Sequence, residues 1–244
     1  MMDYIIKAIE EYVKSHQHLK LYESLLPKFN KFHEYTCITR QMKSEKGLIC
    51  DNNGNEVYTK TGSKHRITIP DYVIDDLYEK NGELNITHNH PSISQPPAEC
   101  LSSADVDFLF QERENYSMIT GETDYYYPLK SMSCESPNGS RMSLVRGDYF
   151  KHENVYAAMG LGDKLQKEYN SYIERYAKDY HNVMDSLDIK DYNDANEMYH
   201  DCAKKTLKRI GRFEDSAEFR KLKRDFRKLD CRLSVTYPYD YAYR

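Results

Sequence analysis

His88-Asn89-His90-Pro91, then ten residues, then Ser102-Ser103-Ala104-Asp105 is the stretch of this chain whose residue types and spacing could bind a metal ion. Two histidines at i and i+2, where a strand runs out into a loop, can aim both imidazoles at one point if the backbone twists after the first. An aspartate on the first turn of a following helix can add a third ligand. A His88/His90/Asp105 set leaves the fourth tetrahedral position to water, which is the open arrangement of a catalytic zinc site and not the closed one of a structural site. Ser102 lies three residues before Asp105, about one helical turn, so its hydroxyl faces the same centre. The plainer reading of the same residues is a polar loop followed by a capped helix.

The elements that must hold these groups follow from local pattern. LNITH is predicted as the strand ending in His88. SSADVDFLFQER is predicted as the next helix, capped by Ser102 or Ser103 with acids in its first turn, where the helix dipole favours them. Upstream, GLIC, EVYTKTG and HRITIP form a predicted meander, with DNNGN as a hairpin turn in which Gly54 is free to take positive φ. DYVIDDLYEKNG is a helix between Asp71 and Gly82. YSMITG and TDYYYPLK form a further strand pair, and past Pro128 the chain reads as loop with SPNGS as a turn. From about Val155 it is helical. Leu165, Tyr169, Tyr172, Tyr176, Tyr180, Val183 and Leu187 make one apolar stripe, Phe219, Leu222, Phe226 and Leu229 another, and Ala195 to Ile210 a helix between them. Two short amphipathic helices lead in, with Ile5, Ile9 and Tyr12 and then Leu25, Leu26, Phe29 and Phe32 at helical spacing. The expected organisation is N-terminal helices over 1–38, an α/β core over 39–148 and a helical C-terminal region over 149–244.

The H-x-H-P and S-x-x-D residues resemble the signature of the JAMM (MPN+ or JAB1) family of zinc metalloproteases, and look closest to bacterial and phage JAB-like proteins carrying T-H-N-H-P. The likeness runs from about Ser44 to Lys130, where E-K-G-L-I-C-D-N-N-G-N-E-V-Y-T-K-T-G looks like the glutamate-bearing strand and hairpin of that group. It implies a JAB/MPN (cytidine-deaminase-like) mixed sheet flanked by helices. It further implies zinc on His88, His90 and Asp105, Ser102 stabilising the oxyanion, and Glu45 as the general base. The reaction it implies is hydrolysis of a peptide or isopeptide bond in a protein or peptide substrate, often at ubiquitin-like modifiers. Members of the family that have lost the site serve as scaffolds. The chain differs from the usual pattern in two places. Ten residues separate Pro91 from Ser102 where seven are usual, which makes SISQPPAECL a candidate specificity element. One residue separates Glu45 from Gly47 where two are usual, which keeps Glu56 and Glu34 as alternative bases.

Composition bounds the rest. The chain has 244 residues and a formal net charge of −4. It contains no apolar run approaching the length of a membrane-spanning helix, roughly 20 residues. Its mean hydropathy is −0.85. The N-terminus mixes acids and lysines into its apolar pattern, unlike a signal peptide. A cytoplasmic protein with no membrane partner is expected, and an effector exported without a signal would read the same. Six cysteines form no C-x-x-C pair and read as reduced thiols. Residues 203–232 carry twelve Lys or Arg against five Asp or Glu, on an otherwise acidic chain. That segment is a solvated helix face, a dock for an acidic partner or a nucleic-acid contact. Oligomeric state is left open.

Overall fold

The computed structural model describes residues 44–63, 67–89, 100–116, 118, 123–136, 140–188, 191–192 and 195–236. The expected N-terminal helices, His90, Glu34 and nearly all of the loop after Pro91 lie outside the described residues. Among the described residues no helix is long and apolar enough to cross a membrane.

The fold is mixed α/β, built on a six-stranded mixed sheet with helices packed against it. The chain enters through β1 (Lys46–Cys50) and β2 (Glu56–Thr61), an antiparallel pair closed by a tight turn with Gly54 at φ 77°. The Asp51 carboxylate pins that turn by accepting the backbone N–H groups of Asn53 and Asn55. Helix α1 (Asp71–Asn81) ends on Gly82, whose φ of 74° suits a residue without Cβ and lets the chain reverse into β3 (Leu84–Asn89). Next come the short helix α2 (Ser103–Leu109) and a two-stranded ribbon of β4 (Arg113–Tyr116) and β5 (Thr123–Tyr126). β6 (Leu129–Glu135) then lies parallel to β3, and β7 (Arg141–Arg146) antiparallel to β6.

Three helices follow: α3 (Val155–Met184), α4 (Ala195–Ile210) and α5 (Ala217–Lys228). Part of each predicted stripe is buried, Leu165, Tyr172, Tyr176 and Val183 on α3 and Phe219, Leu222 and Phe226 on α5, and α3 also buries Val155, Ala158 and Gly162 outside its stripe. The region is not helical throughout. After α5 the chain enters β8 (Cys231–Thr236), which pairs antiparallel with β7 and completes the order β2-β1-β3-β6-β7-β8.

Other segments depart from the sequence reading as well: the helix predicted through Arg113 stops at Leu109, and β4 runs over Arg113–Tyr116, meeting the predicted YSMITG only at Tyr116. Ile67–Pro70 of HRITIP is not strand. Instead Ile67 tucks against Gly47, which has no side chain to exclude it. The stretch past Pro128 is not loop but β6 and β7, in the middle of the sheet. Strand alternation explains both the structure and its faint signal: Met132, Cys134, Met142 and Leu144 face one way, and Ser131, Ser133 and Ser143 the other. On the first face they join Ile49, Leu84 and Ile86 in the core. On the second, Ser131 donates to the side-chain carbonyl of Asn85 at 2.6 Å. Ser133 donates to the Ser143 hydroxyl at 2.8 Å. These buried hydroxyls are thus satisfied within the sheet.

Candidate metal centre

The centre begins with the two-residue period of β3. Leu84, Ile86 and His88 share the core face, and His88 stands near the strand's carboxyl end, where β3 has antiparallel β1 on one side and parallel β6 on the other. The crossover from β3 to β6 carries α2 over that same end. In open α/β sheets, ligands collect outside the carboxyl ends of strands. His88 is buried, so a charged or metal-bound imidazole there needs a specific partner.

Asp105 is that partner. Its Oδ1 lies 3.4 Å from His88 Nε2. Its other oxygen, Oδ2, accepts the Ser102 N–H at 2.7 Å and the Ser102 hydroxyl at 2.7 Å, while Ser102 Oγ accepts the Asp105 N–H at 3.1 Å. This is a reciprocal capping box, made by an aspartate at the third helical position where glutamate is more usual. The cap therefore aims a carboxylate: one oxygen is fixed by the helix start and the other faces the imidazole. Ser102, expected to steady an oxyanion, has its hydroxyl committed to this box.

The separation fits zinc. Bonds of about 2.0–2.2 Å to nitrogen and oxygen in tetrahedral geometry put neighbouring donor atoms about 3.4 Å apart. The pair is held together by charge. Burial works against the His88 cation, but the Asp105 carboxylate, with the Cys134 thiol, outweighs it and raises the imidazole's pKa. Burial pushes the Asp105 carboxyl up, yet His88 together with the Ser102 hydrogen bonds holds it well below the usual carboxylate range. A divalent cation held by these two donors would take the place of the proton on His88. Among the described residues no three His, Cys, Asp or Glu side chains gather as a ligand group; the third predicted ligand, His90, is not among them.

Glu45 sits just before β1 and extends its ladder. Its N–H donates to the Ser63 carbonyl at 2.7 Å and its own carbonyl accepts the Gly62 N–H at 2.8 Å. Gly47 lies directly across from His88, and the two-residue period places Glu45 on the same face, one step further toward the strand end. It is buried. Glu56 is elsewhere: it is exposed, accepts the Thr59 hydroxyl at 2.6 Å, and lies across from Cys50, which aligns with Asn85. Asn85 and His88 are three strand positions apart, about 10 Å.

No family model, curated protein or solved structure matches the chain.

Two residues near the centre escaped the sequence reading. Cys134 on β6 is the register partner of His88, fully buried, with its thiol against the imidazole. The signal that could have found it is the alternation of Met132 and Cys134 with Ser131 and Ser133, which is a strand pattern. The second is Gln166 on α3, whose Oε1 accepts the Ser103 N–H at 2.8 Å. No local pattern marks a residue that acts 63 positions away.

Proposed function

We propose that the chain is a zinc-dependent peptidase or isopeptidase of the JAMM type, on a JAB/MPN-like core. The observation that carries this reading is the 3.4 Å approach of His88 Nε2 to an Asp105 oxygen whose partner oxygen is locked by Ser102. His88, Asp105 and, by the resemblance, His90 would hold the metal. Zinc bound there supplies Lewis acidity and brings the pKa of a water toward neutrality.

The chain's own groups supply the rest. The Glu45 carboxylate, on the His88 face at the strand end, takes the water's proton and returns it to the departing amine. Asp105 balances charge beside His88, and Ser102 keeps the Asp105 carboxylate turned toward it, a supporting contact of the kind that tunes metal sites. The substrate is a peptide or isopeptide linkage in a protein.

His88, Asp105 and Cys134 also have the composition of a cysteine hydrolase triad. Cys134 is 0% exposed. Its sulfur therefore cannot reach a substrate carbonyl, and this disfavours that chemistry. Nucleic-acid binding through the basic segment has no observation behind it beyond the segment's charge, part of which is paired internally. Lys205 bridges Asp201, Arg209 bridges Asp179 and Lys228 bridges Asp225, which leaves a mixed-charge helix surface. An acidic protein partner remains the alternative occupant of that face.

The test is zinc content by elemental analysis of the purified chain beside Asp105→Ala, with cleavage of isopeptide-linked and linear peptide probes. One zinc per wild-type chain, none in the variant, and cleavage lost in Glu45→Gln with zinc retained are expected. Equal metal in wild type and Asp105→Ala sinks the reading and leaves a scaffold role for the fold.

A further inference from the structure

Helix α2 has only 7 residues. A helix that short has little stability of its own in water. Its first turn nevertheless carries the ligand candidate Asp105, and a ligand must stay within about 0.5 Å of its working geometry. The capping box ties that turn to itself and leaves its orientation against the sheet to another element. Among the described residues α2 packs against β6 of the sheet and against α3, and α3 comes from beyond the predicted core.

Two residues of α3, one turn apart, make the junction. Gly162 faces Val106, which is fully buried in the middle of α2. A Cβ at position 162 would sit 2.7 Å from Val106 Cβ. That is well inside the separation of about 3.5–4.0 Å at which carbon atoms attract. The absent side chain is what lets the two helices approach. Gln166, four residues on, reaches the start of α2 and accepts the Ser103 N–H at 2.8 Å. That amide is one of those a helix start leaves without an internal partner. Ser103 follows Ser102, whose N–H and O–H hold Asp105 Oδ2. An unbroken path of contacts thus runs from Gln166 through the Ser103 and Ser102 backbone to the carboxylate.

We propose that Gln166, brought close by Gly162, is a positioning residue that sets the Asp105 carboxylate against His88, so that α3 belongs to the metal centre's framework. The proposal rests on the zinc reading above for its functional consequence, while the contact itself is independent of metal. A glutamine fits the task because its carbonyl accepts from the amide without adding charge beside Asp105.

The experiment uses the full chain and two readouts. Zinc affinity is measured by competition with a chromophoric chelator for wild type, Gln166→Leu and Gln166→Glu, and amide hydrogen exchange at Ser103–Asp105 is followed in the metal-free proteins. Gln166→Leu is expected to bind zinc roughly 10–100-fold more weakly, the usual effect of losing a supporting contact, and to exchange faster at α2 with its global unfolding midpoint little changed. Gln166→Glu, which keeps an acceptor, restores most of the affinity and protection. Gly162→Ala is expected to weaken zinc in the same direction as Gln166→Leu. Wild-type affinity and wild-type exchange in Gln166→Leu would overturn the proposal. If wild type binds no zinc, the peptidase reading fails on its own and exchange alone decides: faster exchange in Gln166→Leu upholds the positioning contact, and unchanged exchange removes it.

Discussion

The 3.4 Å between His88 Nε2 and Asp105 Oδ1 is bridged by a proton when the imidazole is charged and, on the proposed zinc reading, would be bridged by the metal instead, and the two make different demands on pH. Folding raises the pKa of His88 and lowers that of Asp105. A raised histidine stabilises the fold fully below its unfolded value of about 6.5 and loses that contribution as pH climbs through the folded value. A depressed aspartate stabilises above its unfolded value of about 3.9 and loses its contribution as pH falls. Urea unfolding of the metal-free protein is therefore expected to show stability declining from about pH 6.5 upward, and Asp105→Asn to flatten that decline. A wild-type curve that stays level would mean that the pair carries no proton in the fold. Cys134 gives a second prediction at this scale. Its full burial shields it from iodoacetamide in the native protein, so peptide mass mapping should find it unmodified while cleavage persists. Native alkylation of Cys134 with loss of activity would instead restore the thiol-nucleophile reading.

At the level of the element, α2 joins local capping and the aim of the Asp105 carboxylate in one set of hydrogen bonds, so on the proposed zinc reading damage to the cap should reach the metal. Ser102→Ala removes the acceptor for the Asp105 N–H and one donor to Asp105 Oδ2. Such a cap loss costs about 0.5–2 kcal/mol of stability. The expected result is a lower urea midpoint and weaker zinc together; unaltered zinc affinity would separate the cap from the centre. This motif was legible because S-x-x-D is local: residues three apart meet whenever a helix forms. The stripes on α3 and α5 were legible for the same reason, since periodic apolar positions must find a common face. β6 and β7 were not. Their buried faces alternate Met and Cys with Ser, and serine is buried there only because neighbouring strands supply its partners, a fact about register that no window of sequence contains. HRITIP carried strand-like residues, yet Pro70 leads directly into α1 and Ile67 is taken up by the gap at Gly47.

Across the whole molecule the consequential misreading concerns the C-terminal region, which the sequence presents as a helical appendage and the fold uses to finish the sheet. Asp230, at φ 56°, turns the chain from α5 into β8, and its carbonyl and carboxylate accept the N–H groups of Gly147 and Tyr149. Gly147 is required there because any side chain would collide with Asp230. Leu233 then lies across from Leu144 at the centre of the β7–β8 ladder, fully buried. An appended arm and a completed sheet answer differently to one substitution. If the region were an arm, Leu233→Ala would melt it first and leave a separate, unshifted transition for the strands around His88. Here β8 is hydrogen-bonded to β7, and α5 and α3 share one core cluster with β3 and β6. The substitution is therefore expected to cost about 2–5 kcal/mol from a single cooperative transition. Far-ultraviolet circular dichroism and tyrosine fluorescence should then report the same lowered midpoint. Two midpoints, with zinc retained between them, would show that the centre stands without its C-terminal framework and would count against the role given to Gln166 as well.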